Sequence, residues 1–220
     1  SDESPFIRAN TAFQGLLDAN SIELSLPARG KLILVNVPAF ELLAIEDGRV
    51  AFRSRIIVGT PWNPTPLIDT HVTTVRFRPS WRPTPSMVAS GEYQDWIRPP
   101  GPDNPLGLAA VRLEPPSLVY LHDTNRPELF DEKDRALSHG CIRVDKWEDL
   151  VGWILNISLS EVYWRANGPE TRDDPAPAIP VLIRYYTRFP DPSGRVRTHP
   201  DIYRLALGQA KPAATYCALD

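Results

Sequence analysis

Runs of hydrophobic residues separated by turn-forming residues predict a domain built mainly of β-strands. The runs are short, and Gly, Pro, Asn and Asp bound most of them. The predicted strands cover residues 31–37, 40–46, 49–58, 70–79, 108–113, 117–122 and 179–187. Asp47-Gly48 separates the second run from the third and suits a type I′ turn. The chain should therefore contain a β-hairpin at this point.

Hydrophobic residues at helical spacing occur in few segments. Residues 5–20 predict an amphipathic N-terminal helix, and residues 86–97 a short one. A third helix is predicted over 146–156, with Asp145 as its N-cap and Glu148 completing a capping box. Helices scattered among many strands, without regular βαβ alternation, indicate a β-rich α+β domain.

The length of 220 residues fits one domain with small appendages. We expect an N-terminal helical extension over 1–30, the main domain over 31–210 and a C-terminal tail over 211–220. Residues 80–107 are rich in Pro, Gly and Trp and have no strong period. Long irregular segments inside compact domains are usually functional. We therefore expect a lid-like loop, in which Trp81 could contact a substrate.

Charge and composition exclude two classes of protein. Lys and Arg number 24 against 27 Asp and Glu, interleaved along the chain, which lacks the basic field that nucleic-acid binding requires. No hydrophobic run approaches the roughly 18–20 residues of a membrane span. We expect that any export signal has been removed from this sequence, which starts at Ser1.

The candidate chemistry lies around Cys141, in Ser138-His139-Gly140-Cys141-Ile142-Arg143. A thiol nucleophile needs a base to accept its proton. His122 ends a predicted strand, and residues 123–137 can return the chain so that Cys141 lies beside it. The side chain of His139 is expected to point away from Cys141, so His122 is the better base. Both cysteines, Cys141 and Cys217, are expected to be free thiols, because a disulfide would consume the nucleophile.

Other residues near Cys141 have candidate supporting roles. The second ring nitrogen of His122 needs an acceptor, either a backbone carbonyl near Asp123 or the Asp123 carboxylate. The N–H groups of Gly140 and Cys141 could stabilise an oxyanion. Arg143 suits bidentate recognition of a substrate carboxylate. Alternatively, it braces the turn through a carboxylate such as Asp145 or Glu148.

The spacing from His122 to Ser-His-Gly-Cys-Ile-Arg resembles the signature of the L,D-transpeptidase catalytic (YkuD) family. That signature is a His, a spacer of similar length, Ser/Thr-His-Gly-Cys, a hydrophobic residue, and Asn or Arg. The flanking segments IIVGTPWNPTP, VYLHDT, RALSHGCIRV and DIYR resemble the large proteobacterial branch of the family. The similarity extends over about residues 31–205, but the capping region before GPDNPLG is shorter here.

The resemblance implies a mixed β-sandwich and acyl transfer between peptidoglycan stem peptides in the periplasm, without metal or cofactor. Linkage is expected to be 3→3, with 1→3 as an alternative because the lid is short. Carbapenem β-lactams are the implied covalent inhibitors. By motif position, Cys141 is the nucleophile and His122 the base. The remaining implied site residues are Ser138, His139, Gly140, Arg143, Tyr120 and Asp123.

Several alternatives stay open on the sequence. Stem peptides could instead undergo L,D-carboxypeptidase cleavage or amino-acid exchange. A non-catalytic peptidoglycan-binding module is the alternative of a different class, and it predicts that Cys141→Ala leaves biological activity intact. A zinc site formed by His122, His139 and Cys141 is the rival chemistry, although a fourth ligand is not evident.

Overall fold

The computed structural model describes residues 6–114 and 119–207. Strands predominate in it, and helices lie at the periphery, as expected for a β-rich α+β domain. The strands are β1 (Lys31–Asn36), β2 (Glu41–Glu46), β3 (Arg49–Gly59), β4 (Asp69–Phe77), β5 (Ala109–Leu113), β6 (Tyr120–His122), β7 (Ala136–Ser138), β8 (Ile142–Val144), β9 (Arg172–Pro175), β10 (Pro180–Arg184), β11 (Arg188–Pro190) and β12 (Val196–Thr198). The helices are α1 (Ala12–Ala19), α2 (Pro85–Ala89), α3 (Trp147–Leu155) and α4 (Leu159–Ala166), with 3₁₀ turns at Pro127–Asp131 and Leu205–Leu207. Within the described ranges, no helix is long and apolar enough to cross a membrane.

The main sheet has the strand order β10-β1-β2-β3-β8-β6-β5-β4-β9. Because β10 pairs with both β1 and β4, the sheet folds over and closes on itself. β7 pairs with the end of β3 outside this path. The central strands β8 and β6 are parallel neighbours, which sets the ends of these two short strands side by side.

Two hydrophobic clusters explain why β1 reads as a continuous hydrophobic run. Ile33 and Val35 face the main core, while Leu32 and Leu34 face a second cluster that includes Leu17 of α1. A strand covered on both faces has no polar face to expose. The predicted β2–β3 hairpin is confirmed: Asp47 and Gly48 have φ of 52° and 75°, both positive as a type I′ turn requires.

The helix predictions need three corrections. The helix predicted over 86–97 is shorter, because α2 spans Pro85–Ala89. The N-terminal helix is shorter than expected, because α1 spans Ala12–Ala19 and begins at the Thr11 cap. The predicted cap of α3 is wrong, since Lys146 occupies the N-cap position with no side-chain hydrogen bond. The Asp145 carboxylate instead accepts hydrogen bonds from Arg55 at 3.0 and 3.1 Å. The expected inner face of α3 is buried as predicted: Trp147, Leu150, Val151 and Ile154.

The region predicted to be a lid is a small folded unit. Trp81, Met87 and Leu106 are buried together, with Tyr93 packed against them. The Arg98 guanidinium lies 4.9 Å from the centre of the Trp81 ring, and backbone hydrogen bonds join the same two residues. Trp81 is only 4% exposed, so its ring forms part of the lid core and is not available as the expected substrate contact.

Candidate active site

Strand register places four of the predicted site residues on one face of the sheet. In the parallel β6–β8 pair, Leu121 lies opposite Ile142 and His122 opposite Arg143. Residues two apart on a strand share a face. Tyr120 and His122 therefore lie on the same face as Cys141 and Arg143. The Tyr120 N–H donates to Cys141 Sγ at 3.3 Å, which fixes the sulfur beside β6.

The orientation of the His122 ring settles which acceptor it uses. Nδ1 donates to the backbone oxygen of Asp123 and not to the Asp123 carboxylate. A carbonyl oxygen only accepts, so Nδ1 carries the proton and Nε2 has a lone pair. His122 is 5% exposed, and its burial together with the positive charge of Arg143 lowers its pKa to about 3. The ring is therefore neutral at pH 7.

Asp123 has a different role from the one that the sequence left open. One of its carboxylate oxygens, Oδ2, accepts a hydrogen bond from the Leu108 N–H at 2.9 Å. Gly107 packs so closely that a Cβ built there would lie 2.2 Å from the same oxygen. Burial raises the pKa of Asp123 to about 6. The carboxyl group therefore connects the end of β6 to the chain leaving the lid.

The turn from Ser138 to Cys141 is held by its own side chains. Ser138 Oγ donates to the Cys141 carbonyl at 2.6 Å and accepts from the Gly140 N–H at 3.1 Å. Gly140 has φ of 122°, a conformation that favours glycine. Of the two N–H groups considered for an oxyanion site, that of Gly140 is thus engaged by Ser138.

His139 contacts the lid, away from Cys141. Its Nε2 lies 3.0 Å from Glu92 Oε2, and the two side chains are 27% and 47% exposed. The lid therefore reaches the turn that carries Cys141. Of the lid tryptophans, Trp96 is the exposed one, at 49%.

Arg143 is a half-buried cation on the same face of the sheet as His122. Neither acidic residue considered as its brace binds it, because Asp145 pairs with Arg55 and Glu148 accepts from the Tyr163 hydroxyl. Within residues 6–114 and 119–207, no carboxylate lies within ion-pair distance of Arg143. Burial lowers its pKa, and the nearby charge of Arg126 lowers it further. The site is therefore electropositive and suited to an anionic group.

The expectation of a free thiol is wrong for Cys141. Its sulfur is in a disulfide, and it is 2% exposed. Cys217, the only other cysteine in the sequence, lies outside the described residues. A disulfide sulfur is not a nucleophile, so Cys141 needs reduction before it can attack a carbonyl.

Sequence reasoning assigned no role to Thr65, which contacts this turn, or to Tyr203, which contacts Thr65. Thr65 Oγ1 donates to the Gly140 carbonyl at 2.8 Å, and the Tyr203 hydroxyl accepts from the Thr65 N–H at 3.1 Å. Both belong to segments quoted for the family resemblance, IIVGTPWNPTP and DIYR. Sequence position alone does not indicate that these segments meet beneath the Cys141 turn.

Among known proteins, the chain is similar to several L,D-transpeptidases. A candidate L,D-transpeptidase of Haemophilus influenzae is 28% identical over 218 residues, which cover 78% of this chain and 44% of that protein. The chain thus spans less than half the length of this curated relative. The catalytic domain of the E. faecium L,D-transpeptidase is 19% identical, with a TM-score of 0.45 over 71% of this chain and 98% of that one. A structure of that domain acylated by ertapenem is 16% identical, with a TM-score of 0.41 over the same shares.

The decisive comparison is with protein families. A family model described as the L,D-transpeptidase catalytic domain matches residues 30–183. The matched segment contains His122, the lid and the turn from Ser138 to Arg143, and it extends over more than half of the chain. The chain therefore belongs to the L,D-transpeptidase catalytic domain family.

Proposed function

We propose that this protein is a cysteine-dependent L,D-transpeptidase acting on peptidoglycan stem peptides, with 3→3 cross-links as the favoured product. The observation that carries the proposal is the β6–β8 register. It sets Cys141 beside Tyr120 and on the face of His122, a buried neutral imidazole with its Nδ1 proton bonded to a carbonyl. Peptidoglycan lies outside the cytoplasm, so we place the protein in the periplasm. Membership of the family supports the reaction class.

The reaction is an acyl transfer in two steps. The reduced Cys141 sulfur attacks the peptide carbonyl that follows the L-centre of the third stem residue, and His122 Nε2 takes the thiol proton. The C–N bond then breaks, the leaving D-alanine amine receives that proton, and a thioester remains on Cys141. The amine of a second stem attacks the thioester, and the thiol is regenerated. The neutral ring has a lone pair on Nε2 for the thiol proton, but a pKa near 3 makes it a weak base in the free protein, so substrate binding must raise that pKa.

Arg143 is the proposed anchor for a substrate carboxylate. A guanidinium matches a carboxylate with two parallel hydrogen bonds, and burial strengthens such a pair. A bound carboxylate would also offset the positive charge that lowers the pKa of His122. Stem peptides carry free carboxylates at D-centres, which fits this position.

The disulfide at Cys141 makes reduction a condition of activity. A dithiol reductant supplies two electrons and two protons, so both sulfurs return to thiols and the dithiol becomes a disulfide. We expect the oxidised protein to be inactive and the reduced protein to be active. The variant Cys217→Ser removes the only other cysteine of the sequence, so it cannot form a disulfide within the chain.

The test is incubation with purified disaccharide-tetrapeptide, followed by fragmentation mass spectrometry of the products. Wild type is assayed with and without a dithiol, alongside Cys141→Ala, His122→Ala and Cys217→Ser. A dimer joined at diaminopimelate residues supports 3→3 transfer. A dimer joined through L-alanine supports 1→3 transfer instead, and a tripeptide alone supports carboxypeptidase activity. Product formed by Cys141→Ala, or none from any reduced form with Cys141, contradicts the proposal.

A carbapenem provides an independent probe of the thiol. Its β-lactam ring is a strained acyl donor, and the catalytic domain of the E. faecium L,D-transpeptidase has been observed acylated by ertapenem. We expect one adduct with the mass of the intact drug on the reduced protein and on Cys217→Ser. Cys141→Ala should give none. Acylation of Cys141→Ala would assign the adduct to another group and contradict the role of Cys141.

A further inference from the structure

A buried cluster of hydrogen bonds lies beneath the turn that carries Cys141. Thr65 Oγ1 donates to the Gly140 carbonyl at 2.8 Å and accepts from the Gly59 N–H at 2.9 Å. The Tyr203 hydroxyl donates to the Gly59 carbonyl at 2.6 Å and accepts from the Thr65 N–H at 3.1 Å. Thr65 is fully buried, and Tyr203 is 8% exposed.

The direction of each hydrogen bond in this cluster is fixed. The Gly59 N–H can only donate, so the single Thr65 hydroxyl proton goes to the Gly140 carbonyl. The Tyr203 hydroxyl likewise accepts from an N–H and must donate to a carbonyl. Burial raises the pKa of Tyr203 to about 12, so the phenol keeps its proton at any working pH. The donors and acceptors of this cluster therefore stay the same across the working pH range.

The Gly140 carbonyl belongs to the same planar group as the Cys141 N–H. In a trans peptide the C=O and N–H point in opposite directions, so fixing one fixes the other. Glycine restrains its own dihedral angles weakly, and Gly140 has φ of 122°. The 140–141 peptide therefore depends on an outside bond for its orientation, and Thr65 supplies that bond.

The backbone around the cluster is close-packed as well. A Cβ built on Gly59 would lie 2.0 Å from the Asn63 carbonyl oxygen and 3.0 Å from Gly140 Cα. The Thr60 N–H also donates to the Ser138 carbonyl at 3.0 Å. The end of β3 thus supports the turn along its length, and Thr65 is the side chain that reaches the peptide preceding the nucleophile.

We propose that Thr65 and Tyr203 are positioning residues, which hold the Gly140–Cys141 peptide so that the Cys141 N–H faces the carbonyl oxygen of the acyl donor. The inference rests on the proposed function, because only an acyl transfer requires such a donor. During attack, the C–S bond forms and the carbonyl π electrons move to oxygen. The N–H then stabilises the resulting oxyanion. When the C–N bond breaks, the carbonyl re-forms as a thioester.

Comparing the rates of acylation and alkylation of Cys141 distinguishes a role in positioning the N–H group from a purely structural role. Iodoacetamide reacts at a saturated carbon: the C–S bond forms, iodide leaves, and no oxyanion develops. Loss of one oxyanion donor costs on the order of 10²–10³ in rate. A tilted donor should therefore slow acylation on the order of 10-fold or more, while alkylation stays near the wild-type rate.

The experiment compares both rates in reduced protein, with ertapenem as the acyl donor. Thr65→Val removes the hydroxyl at nearly constant volume, and Thr65→Ser keeps it. Tyr203→Phe removes only the second layer of the cluster and provides a milder variant if Thr65→Val fails to fold. Thr60→Val is the matched control, because its hydroxyl accepts from the Asn63 N–H in the same loop and does not contact Gly140.

We expect Thr65→Val to lose acylation rate selectively, Tyr203→Phe to lose less, and Thr65→Ser and Thr60→Val to resemble wild type. Equal slowing of acylation and alkylation in Thr65→Val would overturn the inference, as would wild-type acylation by that variant. Both results leave the proposed function intact. If reduced wild type is alkylated but never acylated, the proposed function fails, and the inference fails with it.

Discussion

The neighbouring side chains of His122 and Asp123 should change the stability of the protein in opposite directions as the pH falls. Burial, with the charge of Arg143, lowers the pKa of His122 from 6.5 to about 3. Burial raises the pKa of Asp123 from 3.8 to about 6. The folded state therefore favours the neutral form of both side chains. The contribution of His122 is complete above pH 6.5 and is lost as the pH falls toward 3. The contribution of Asp123 is complete below pH 3.8 and is lost as the pH rises through 6.

The magnitudes follow from the difference between the folded and unfolded pKa values. When the folded and unfolded pKa values of a group differ by 1, the unfolding free energy changes by about 1.4 kcal/mol. Between pH 6.5 and pH 4, His122 should therefore cost about 3 kcal/mol of stability. Over the same interval Asp123, which is only partly buried, should return about 2–3 kcal/mol. The two contributions nearly cancel in the wild type. A variant that lacks one of the two side chains should therefore show the pH dependence of the other in its unfolding free energy.

The assay is guanidinium denaturation of the oxidised protein at pH 7 and pH 4, for wild type, His122→Gln and Asp123→Asn. Relative to wild type, we expect Asp123→Asn to lose about 2–3 kcal/mol on acidification and His122→Gln to gain about 3 kcal/mol. Other carboxylates titrate in all three proteins and cancel in the comparison. Three parallel profiles would refute the reasoning, because neither side chain would then be buried in its neutral form.

Two further predictions concern the segment that joins the lid to β5. Asn104 is 1% exposed, and its amide group donates to the carbonyls of Pro79 and Pro99 at 3.0 and 3.1 Å. Asn104→Ala should lower the unfolding free energy by about 1–3 kcal/mol through unsatisfied buried groups, whereas an unchanged thermal midpoint would contradict this network. Gly107→Ala should destabilise the protein more than Gly91→Ala in the same assay. Both positions have positive φ, but only at 107 does the new methyl group meet other atoms within 4 Å. Equal losses would show that backbone strain alone decides the effect.

Local patterns predicted the parts of the fold that depend on neighbours in sequence. The β2–β3 hairpin follows from Asp47-Gly48, because only small or flexible residues accept two successive positive φ values. The buried face of α3 follows from its hydrophobic period. Helix α4 was missed, although Ser158 and Glu161 have the spacing of a helix start and Ser158 Oγ accepts from the Glu161 N–H.

Long-range pairing decided where the polar side chains bind. Asp145 has the sequence context of an N-cap, yet Arg55 lies 90 positions away and binds its carboxylate, because β3 and β8 are antiparallel neighbours. An ion pair and a cap compete for the same oxygens, and only the sheet register shows which one forms. Trp81 is likewise predicted to contact a substrate, but the lid has enough hydrophobic side chains to bury it.

The sequence by itself determined the candidate reacting groups: a histidine at the end of a strand, and a cysteine in a glycine turn after a 15-residue return. The tertiary structure decided what surrounds them. It selects the Asp123 carbonyl as the partner of His122, places Cys141 in a disulfide, and brings Thr65 and Tyr203, 138 positions apart, into contact beneath the turn. The physical reason is that a motif specifies chemistry within a few residues, whereas hydrogen bonds across a closed sheet depend on the register of every strand between the two ends.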